Sequence, residues 1–338
     1  MPRRMQQDLR GKVVVITGAS AGVGRAIAVE LGQRGASVAL IARGLDRLQV
    51  LQASLRAAGV AALAVVADVS DAKQVETAAT QVEAALGPID VWINNAMVTV
   101  LSPVAEMTAR EYEQVTRVTY LGVVHGTLSA LARMKPRNAG HIIQIGSALA
   151  YRAIPLQSAY CAAKHAIRGF TDSLRCELLH DNANIQLTMV QLPAVNTPQF
   201  SWCRTRLSHQ PQPVPPIYQP EVVARSVAAI VGQDRREVWV GTSTWKTIWG
   251  SRFLSGLLDR YLADKGYSGQ QTREPIEPDR EDNLFEPLSG DYGAHGRFDD
   301  RATNSSPAAW LAAHRPTLSA LVMLSVTSLL LIASSWFG

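Results

Sequence analysis

VVVITGASAGVG, at Val13–Gly24, decides the fold of this 338-residue chain. It opens with a continuous run of β-branched residues, the pattern of a parallel strand that is buried on both faces. It ends in three glycines, Gly18, Gly22 and Gly24, before a segment with helical spacing. Glycines in such a strand–turn–helix unit allow a tight turn, close approach of a pyrophosphate and close helix–strand packing. The stretch therefore predicts a dinucleotide-binding turn whose helix N-terminus attracts the phosphates.

Similar apolar runs recur up to about residue 240, and helix-like segments such as Val23–Arg34 and Gln74–Leu86 lie between them. The predicted strands are Lys12–Thr17, Ser37–Ala42, Ala61–Ala67, Ile89–Asn94, His141–Gly146, Ile185–Gln191 and Glu237–Val240. This alternation predicts an α/β fold over residues 1–241, with a doubly wound parallel sheet of seven strands. Ligands of such folds bind at the carboxyl ends of the strands.

The composition is that of a globular protein, with 47% hydrophobic residues, a net charge of +5 and an isoelectric point of about 9.2. There is no long Lys/Arg run, so we expect no nucleic-acid partner. The polar start MPRRMQQDLR lacks the apolar core of a secretory signal, which favours a cytoplasmic globular part. The three cysteines form no CxxC pair and no metal-ligand spacing, so reduced thiols and no metal site are expected. These are Cys161, Cys176 and Cys203.

The character of the chain changes after Val240, and three further segments are predicted. In the first, residues 242–264, aromatic and leucine side chains recur at spacings of three or four over Thr244–Leu262, which indicates an amphipathic helix. This helix could pack on the domain or across a dimer, or it could lie in a membrane interface. The second segment, residues 265–315, is rich in Gly, Pro and charged residues and is interpreted as a polar linker.

The third segment, residues 316–338, is predicted to be a membrane anchor. Thr317–Phe337 carries no charge, and a helix of that length spans about 30 Å, the thickness of a bilayer core. Arg315 precedes it, and a positive flank favours a cytoplasmic location for the preceding domain. The alternative is a helix buried in a core or an oligomer.

Tyr160 and Lys164 stand four residues apart in YCAAK, so a helix would place them on one face. There the lysine ammonium would favour the phenolate and lower the pKa of the tyrosine. Ser147, upstream of the tyrosine, can hold a carbonyl or alcohol oxygen. The three side chains together predict an acid/base site for an oxygen whose carbon gains or loses hydride.

The chain resembles the short-chain dehydrogenase/reductase family over about residues 10–241. TGASAGVG, then NNA at Asn94–Ala96, then Ser147 and YCAAK occur in the order and at the spacing of that family. The resemblance implies a Rossmann-like catalytic domain with Ser147, Tyr160 and Lys164 as catalytic residues. It also implies that Lys164 binds the nicotinamide ribose, that Asp68 and Val69 contact the adenine, and that PAVNT at Pro193–Thr197 lines the nicotinamide. The predicted cofactor contacts are Gly18, Ser20, Gly22, Val23, Gly24, Arg43, Asp68, Val69, Asn95, Tyr160, Lys164, Val195 and Thr197.

NADP(H) is favoured over NAD(H) because the second predicted strand ends in Ala42–Arg43, without an acidic residue. An acid there would bind the ribose 2′-hydroxyl of NAD and repel a 2′-phosphate, whereas Arg43 can bind the phosphate with charge-assisted hydrogen bonds. Ser20 in the glycine loop can assist. The alternative is that Arg43 is a solvated surface charge.

Two positions depart from the family's pattern. Thr119 stands where the family has an asparagine that bends a helix and holds a water in a proton relay to the lysine. Met97 stands where NNAG would place a glycine. Neither change removes a group that transfers the proton.

These features predict an NADP(H)-dependent oxidoreductase that transfers hydride between nicotinamide and a carbonyl or secondary alcohol. The predicted anchor and aromatic helix suggest a lipophilic substrate and a membrane location with the catalytic domain in the cytoplasm. A membrane-tethered, nucleotide-binding scaffold protein with little turnover is the alternative from another class, and an epimerase or dehydratase is less favoured. The family resemblance also suggests a homo-oligomer.

Overall fold

The computed structural model describes residues 8–306 of the chain. Its strands are β1 (Val13–Thr17), β2 (Ser37–Ala42), β3 (Ala62–Val66), β4 (Val91–Asn94), β5 (Val100–Leu101), β6 (Gly140–Ile145), β7 (Ile185–Gln191), β8 (Ala194–Val195), β9 (Arg204–Thr205), β10 (His209–Pro211), β11 (Ile217–Tyr218), β12 (Glu237–Trp239), β13 (Gln271–Pro275) and β14 (Ala302–Thr303). Its α-helices are α1 (Gly22–Gln33), α2 (Leu45–Ala57), α3 (Ala72–Leu86), α4 (Ala109–Val115), α5 (Gly122–Arg137), α6 (Ser158–His180), α7 (Gln199–Trp202), α8 (Pro220–Ile230), α9 (Thr242–Phe253) and α10 (Ser255–Lys265). A π-helical turn, Thr116–Leu121, joins α4 to α5.

The central sheet has seven parallel strands in the order β12-β7-β6-β4-β1-β2-β3. This confirms the predicted doubly wound sheet, and the strand bounds differ from the predicted ones by no more than two residues. The strand order reverses at β1, which lies between β4 and β2. Such a switch point opens a crevice at the carboxyl ends of the strands, where ligands of these folds bind.

Both faces of the sheet are covered by helices, as the continuous apolar strands require. In β1, Val14 and Ile16 belong to a core shared with α1, α2 and α8. Val13 and Val15 point to the other face and join a core with α3, α5 and α6. Successive side chains of a strand alternate between faces, so a strand that is apolar at every position needs a helix layer on each side.

The predicted amphipathic helix is two helices, α9 and α10, because the backbone leaves the helical region at Leu254 (φ −129°, ψ 31°). Glycines lie on both sides of this break, at Gly250 and Gly256, and glycine is a poor helix former. Trp245, Trp249 and Phe253 form an aromatic ladder along α9, with ring centres 6.2 Å and 5.8 Å apart. All three residues are exposed by more than a third. Trp245 also contacts Trp239 of β12 edge-to-face, with ring centres 5.1 Å apart, so one end of the stripe packs on the domain.

The region predicted as a polar linker packs against the domain up to residue 306. Its strand β13 pairs antiparallel with β10, and β14 pairs parallel with β11. Leu284 is completely buried and belongs to the core on the α3, α5 and α6 face. The sequence did not predict this packing because the segment is rich in charged residues and glycine, and few apolar side chains hold it against the domain.

No helix within residues 8–306 is both long and apolar enough to cross a membrane. The predicted anchor, residues 316–338, lies outside the described residues.

Candidate active site

A cavity of about 1060 Å³ lies at the carboxyl ends of the strands, beside the switch point. It brings together most of the residues predicted from the sequence. Those that line it are Gly18, Ser20, Gly22, Val23, Arg43, Asp68, Val69, Asn95, Ser147, Tyr160, Lys164, Val195 and Thr197. Gly24 lies beneath the glycine loop, at the start of α1.

Tyr160 and Lys164 lie on one face of α6, as their spacing predicts. The Lys164 ammonium is 5.5 Å from the centre of the Tyr160 ring. It also donates a hydrogen bond to the main-chain oxygen of Ile145 at 2.7 Å, at the end of β6. Only 2% of Lys164 is exposed, and this burial lowers the pKa of its ammonium to about 8. The carbonyl occupies one of three N–H donors, so two remain for a ligand.

Burial raises the pKa of the Tyr160 phenol above its ordinary value, and the Ser147 hydroxyl lowers it only in part. Sequence reasoning considered the effect of the lysine alone. The structure adds desolvation, which disfavours the phenolate and acts in the opposite direction. In the free protein, Tyr160 is therefore protonated at neutral pH and is ready to donate a proton.

Ser147 lies two residues after the end of β6 and beside Tyr160 at the cavity wall. Its Oγ accepts a hydrogen bond from the Leu149 N–H at 3.1 Å. That bond orients the side chain and leaves the hydroxyl hydrogen free to donate. The carboxyl end of a strand and the start of a helix thus place both hydroxyls at one point of the cavity.

The glycine loop is held against β4 by Asn95. The Asn95 amide donates to the main-chain oxygens of Thr17 and Gly18 at 2.9 Å and 3.2 Å. Asn95 lines the cavity, but its two amide hydrogens are used to fix the loop. Gly24 is required here, because a Cβ on it would lie 2.3 Å from the Gly18 carbonyl oxygen. The cradle therefore fits a group that approaches the backbone closely, such as a pyrophosphate.

Arg43 is not a free surface charge. Its guanidinium donates hydrogen bonds to the main-chain oxygens of Phe285 at 2.6 Å and Asn283 at 2.7 Å. Burial lowers the pKa of Arg43, while the carboxylates of Asp68 and Glu286 act in the opposite direction. An arginine has five N–H donors, so the group can bind these carbonyls and still present donors to the cavity.

Thr119 is buried and committed to the backbone. Its Oγ1 donates to the Val98 carbonyl at 2.9 Å and accepts from the Val98 N–H at 3.1 Å. It sits in the π-helical turn, so the helix is locally irregular there although the residue is not asparagine. The hydroxyl has no free hydrogen to offer to a relay.

Met97 lines the cavity, as its position in the sequence suggested.

Sequence reasoning missed the part of the cavity built by the C-terminal extension. Leu258 and Leu262 of α10 line it, as do Asn283 and Pro287. Buried Gln270 also lines it and is fixed by three hydrogen bonds. It accepts from the Gln157 amide at 2.7 Å and donates to the main-chain oxygens of Pro155 and Gly266. The sequence predicts the leucines of α10 only as part of an amphipathic helix and not as part of a cavity wall.

In the part of the chain that the structure describes, no group of three or more His, Cys, Asp or Glu side chains could hold a metal ion. The three cysteines are free thiols, and Cys161 and Cys203 are buried.

Comparisons with known proteins agree with this geometry. Residues 12–206 match the family model of short chain dehydrogenases. The uncharacterized oxidoreductase YxnA of Bacillus subtilis (strain 168) is 29% identical over 94% of this chain and 89% of its own. The putative oxidoreductase SadH of Mycobacterium tuberculosis is 35% identical over 56% of this chain and 69% of its own.

Two solved structures share the fold. A metagenomic short-chain oxidoreductase in complex with NADP is 29% identical with a TM-score of 0.59, over 69% of this chain and 98% of its own. An alcohol dehydrogenase of the archaeon Thermococcus sibiricus, complexed with 5-hydroxy-NADP, is 28% identical with a TM-score of 0.58, over 68% of this chain and 95% of its own. Since the family model spans more than half of the sequence, the chain belongs to the short-chain dehydrogenase family and is an oxidoreductase of that family.

Proposed function

We propose that the protein is an NADP(H)-dependent oxidoreductase that interconverts a carbonyl and a secondary alcohol on a lipophilic substrate. The observation that carries the proposal is the convergence of Ser147, Tyr160 and Lys164 at one cavity with the glycine loop. When bound, the nicotinamide supplies hydride to the substrate carbon or accepts hydride from it.

In the reductive direction, the Tyr160 hydroxyl donates its proton to the substrate oxygen. The phenol's raised pKa keeps this proton in place until the oxygen becomes basic. Ser147, oriented by the Leu149 N–H, donates a hydrogen bond to the same oxygen. Lys164 uses its remaining donors on the ribose hydroxyls, and its positive charge stabilises the phenolate that forms.

The preference for NADP(H) is supported by Arg43, which lines the cavity where β2 ends. Its guanidinium is fixed by two carbonyls, and a preorganised cation binds a phosphate at a lower entropic cost than a mobile one. Ser20 in the glycine loop lines the same part of the cavity. Both named structural relatives were solved with NADP or an analogue of it, which agrees with this proposal.

A lipophilic substrate is supported by apolar side chains that line the cavity. These side chains, taken from several parts of the cavity lining, are Met97, Val98, Leu149, Ile154, Pro193, Val214, Leu258 and Leu262. Helix α10 has a second apolar side, since Leu257 is 63% exposed and Tyr261 is 61% exposed. One helix thus presents leucines to the cavity and an apolar surface to its surroundings.

We extend the proposal to a membrane-bound location on the cytoplasmic side. Trp245 and Trp249 on α9 are exposed, as are Leu257 and Tyr261 on α10, and tryptophan and tyrosine favour the membrane–water interface. The predicted anchor at residues 316–338 would hold this surface against the bilayer. A homo-oligomer remains a prediction from the family resemblance.

The scaffold alternative is not favoured, because the acid/base groups converge at the cavity despite the committed Thr119. The discriminating experiment measures NADPH and NADH consumption by the detergent-solubilised protein over a panel of lipophilic and polar ketones. Tyr160→Phe should lose most turnover and keep nucleotide binding, and the lipophilic ketones should be the better substrates. Tight NADPH binding without turnover on any ketone would instead support the scaffold protein.

A further inference from the structure

The C-terminal segment of residues 283–298, which we call the strap, borders the cavity through Asn283 and Pro287. It touches the three elements to which the proposed function assigns the cofactor: the end of β2, the glycine loop and the segment after β8. The NADP-bound structural relative aligns over 98% of its own length with only 69% of this chain, so it has almost nothing that corresponds to the rest. The match to YxnA covers 94% of the chain and must therefore include the strap.

The strap is fixed to the adenosine side by two arginines. Arg43 donates to the carbonyls of Asn283 and Phe285, and Arg47 donates to those of Leu288 and Gly290. The Arg47 guanidinium also lies 4.7 Å from the centre of the Tyr292 ring. Hydrogen bonds from a charged donor are stronger than those between neutral groups, and the cation–π contact adds to them. These contacts hold the strap in place.

At the phosphate end, the strap reaches the glycine loop itself. The Gly22 N–H donates a hydrogen bond to the Gly293 carbonyl oxygen at 3.1 Å. Beside it, Asp291 forms an ion pair with Arg25 of α1. The main chain of the strap thus lies directly against the turn that the sequence assigns to the pyrophosphate.

At the nicotinamide end, the strap closes on the segment after β8. The Phe298 N–H donates to the Asn196 side-chain oxygen at 3.1 Å. Gly296 lies so close that a Cβ on it would be 2.5 Å from the Thr197 carbonyl oxygen. Its φ is outside the left-handed region, so glycine is needed there for closeness and not for backbone conformation.

The strap borders the cavity and does not fill it. The cavity that Asn283 and Pro287 help to line has a volume of about 1060 Å³. A segment that blocked the site would occupy this volume with side chains.

We propose that the strap is part of the cofactor site: it closes over the dinucleotide and holds Arg43 in position for the adenosine 2′-phosphate. The proposal rests on the proposed function for the identity of the cofactor. It has two consequences. Cofactor exchange requires the strap to open, so NADPH dissociates slowly. The discrimination between NADPH and NADH depends on strap residues as well as on Arg43.

The retention test compares Gly296→Ala with Gly256→Ala in the full chain. Both add one methyl group, but a Cβ on Gly256 would meet no atom of residues 8–306 within 4 Å. Gly296→Ala should raise the NADPH dissociation rate, followed by stopped-flow fluorescence, by about tenfold, the effect of one or two net hydrogen bonds. Gly256→Ala should leave it within about twofold of the wild-type rate. Asp291→Asn provides a second, milder variant in case Gly296→Ala does not fold, and it should shift the rate in the same direction.

The positioning test uses Leu284→Ala, which loosens the strap beside Asn283 and Phe285. It should weaken NADPH binding by about tenfold and NADH binding much less, because only NADPH carries the phosphate that Arg43 would bind. If Leu284→Ala weakened the binding of NADPH and NADH equally, the strap would have a merely structural role. That result would overturn the proposal that the strap positions Arg43 for the 2′-phosphate.

Hydrogen–deuterium exchange of the wild-type protein distinguishes a strap that closes over the bound cofactor from a strap that competes with the cofactor. Added NADPH should protect the amides of the strap. Faster exchange of those amides on NADPH binding, or slower NADPH dissociation in Gly296→Ala, would overturn the proposal and indicate a segment that competes with the cofactor. These measurements require no ketone turnover, so the strap can be confirmed even if no substrate is reduced. A wild-type protein that binds no nicotinamide nucleotide would refute both proposals.

Discussion

The Lys164 ammonium lies 5.5 Å from the centre of the Tyr160 ring, one helical turn away on the same face of α6. Lys164 is almost enclosed, and within residues 8–306 the hydrogen bond of its ammonium goes to a main-chain carbonyl. Burial without a carboxylate partner lowers the pKa of Lys164 to about 8. The lysine of the free protein is therefore charged below that pH and neutral above it.

We predict that NADPH binding weakens as the pH rises above 8. A ribose bound by the ammonium raises the pKa of Lys164, so binding at high pH requires uptake of a proton. The dissociation constant should then rise by at most about tenfold per pH unit. Fluorescence titrations between about pH 6 and pH 10 would measure this. Lys164→Met should bind NADPH more weakly with a flat profile, and an unchanged slope in that variant would assign the titration to another group.

Arg43→Ala should weaken NADPH binding by about 30- to 100-fold, the cost of charge-assisted hydrogen bonds to a phosphate. NADH lacks this phosphate and should be affected far less. Arg43→Lys should restore little, since an ammonium cannot bind two carbonyls and a phosphate in the geometry of a guanidinium. Isothermal titration of both nucleotides would measure the ratio, with the exposed Arg10→Ala as the matched control. Equal losses for the two nucleotides would assign Arg43 to holding the strap alone.

The sheet and most of the site could be predicted because side chains carry the signal. Seven apolar runs indicated seven strands, and the spacing of Tyr160 and Lys164 predicted a shared helix face. The strap could not be predicted, since it is held mainly through the carbonyl oxygens of residues such as Asn283, Phe285 and Gly293. Every residue has a main-chain carbonyl, so the sequence does not indicate which carbonyls accept these hydrogen bonds. The raised pKa of Tyr160 was missed for a related reason, because burial depends on the whole fold.

Thr119→Asn, which restores the family's residue, should not raise the rate of turnover. The Thr119 hydroxyl holds both main-chain groups of Val98, and the side chain is completely buried. A larger amide would break those bonds and overfill the site, at a cost of about 1–3 kcal/mol of stability. Denaturant unfolding and kcat, measured on the same samples, would test this. A stable variant with faster turnover would instead show that the relay is limiting in the natural sequence.

Stability should fall in mild acid through His141, which lies in β6. Its Nδ1 accepts from the Gly232 N–H at 3.1 Å, so Nε2 carries the hydrogen and donates to the Thr188 hydroxyl at 2.8 Å. Burial lowers the pKa of His141 from 6.5 to about 4. Between these two values the unfolded chain binds a proton at this histidine and the folded protein does not. His141 therefore has no effect on the free energy of unfolding well above pH 6.5. That free energy decreases by at most about 1.4 kcal/mol per unit as the pH falls towards 4.

The window between about pH 6.5 and pH 4.5 suits this measurement, because the shifted carboxylates lose their stabilising charge only at lower pH. Glu111 is an example: burial opposes its ionisation, but hydrogen bonds from Arg206 and Thr108 lower its pKa to about 2.

Burial opposes the charge of His295, but hydrogen bonds with Glu221 and Asp299 raise its pKa. That group therefore acts with the opposite sign, and only the difference from His141→Gln reports His141. Urea unfolding across the window should give a clear slope for the wild type and a shallower one for His141→Gln. The exposed His180→Gln should retain the wild-type slope. Parallel curves for all three proteins would mean that His141 is not the titrating group.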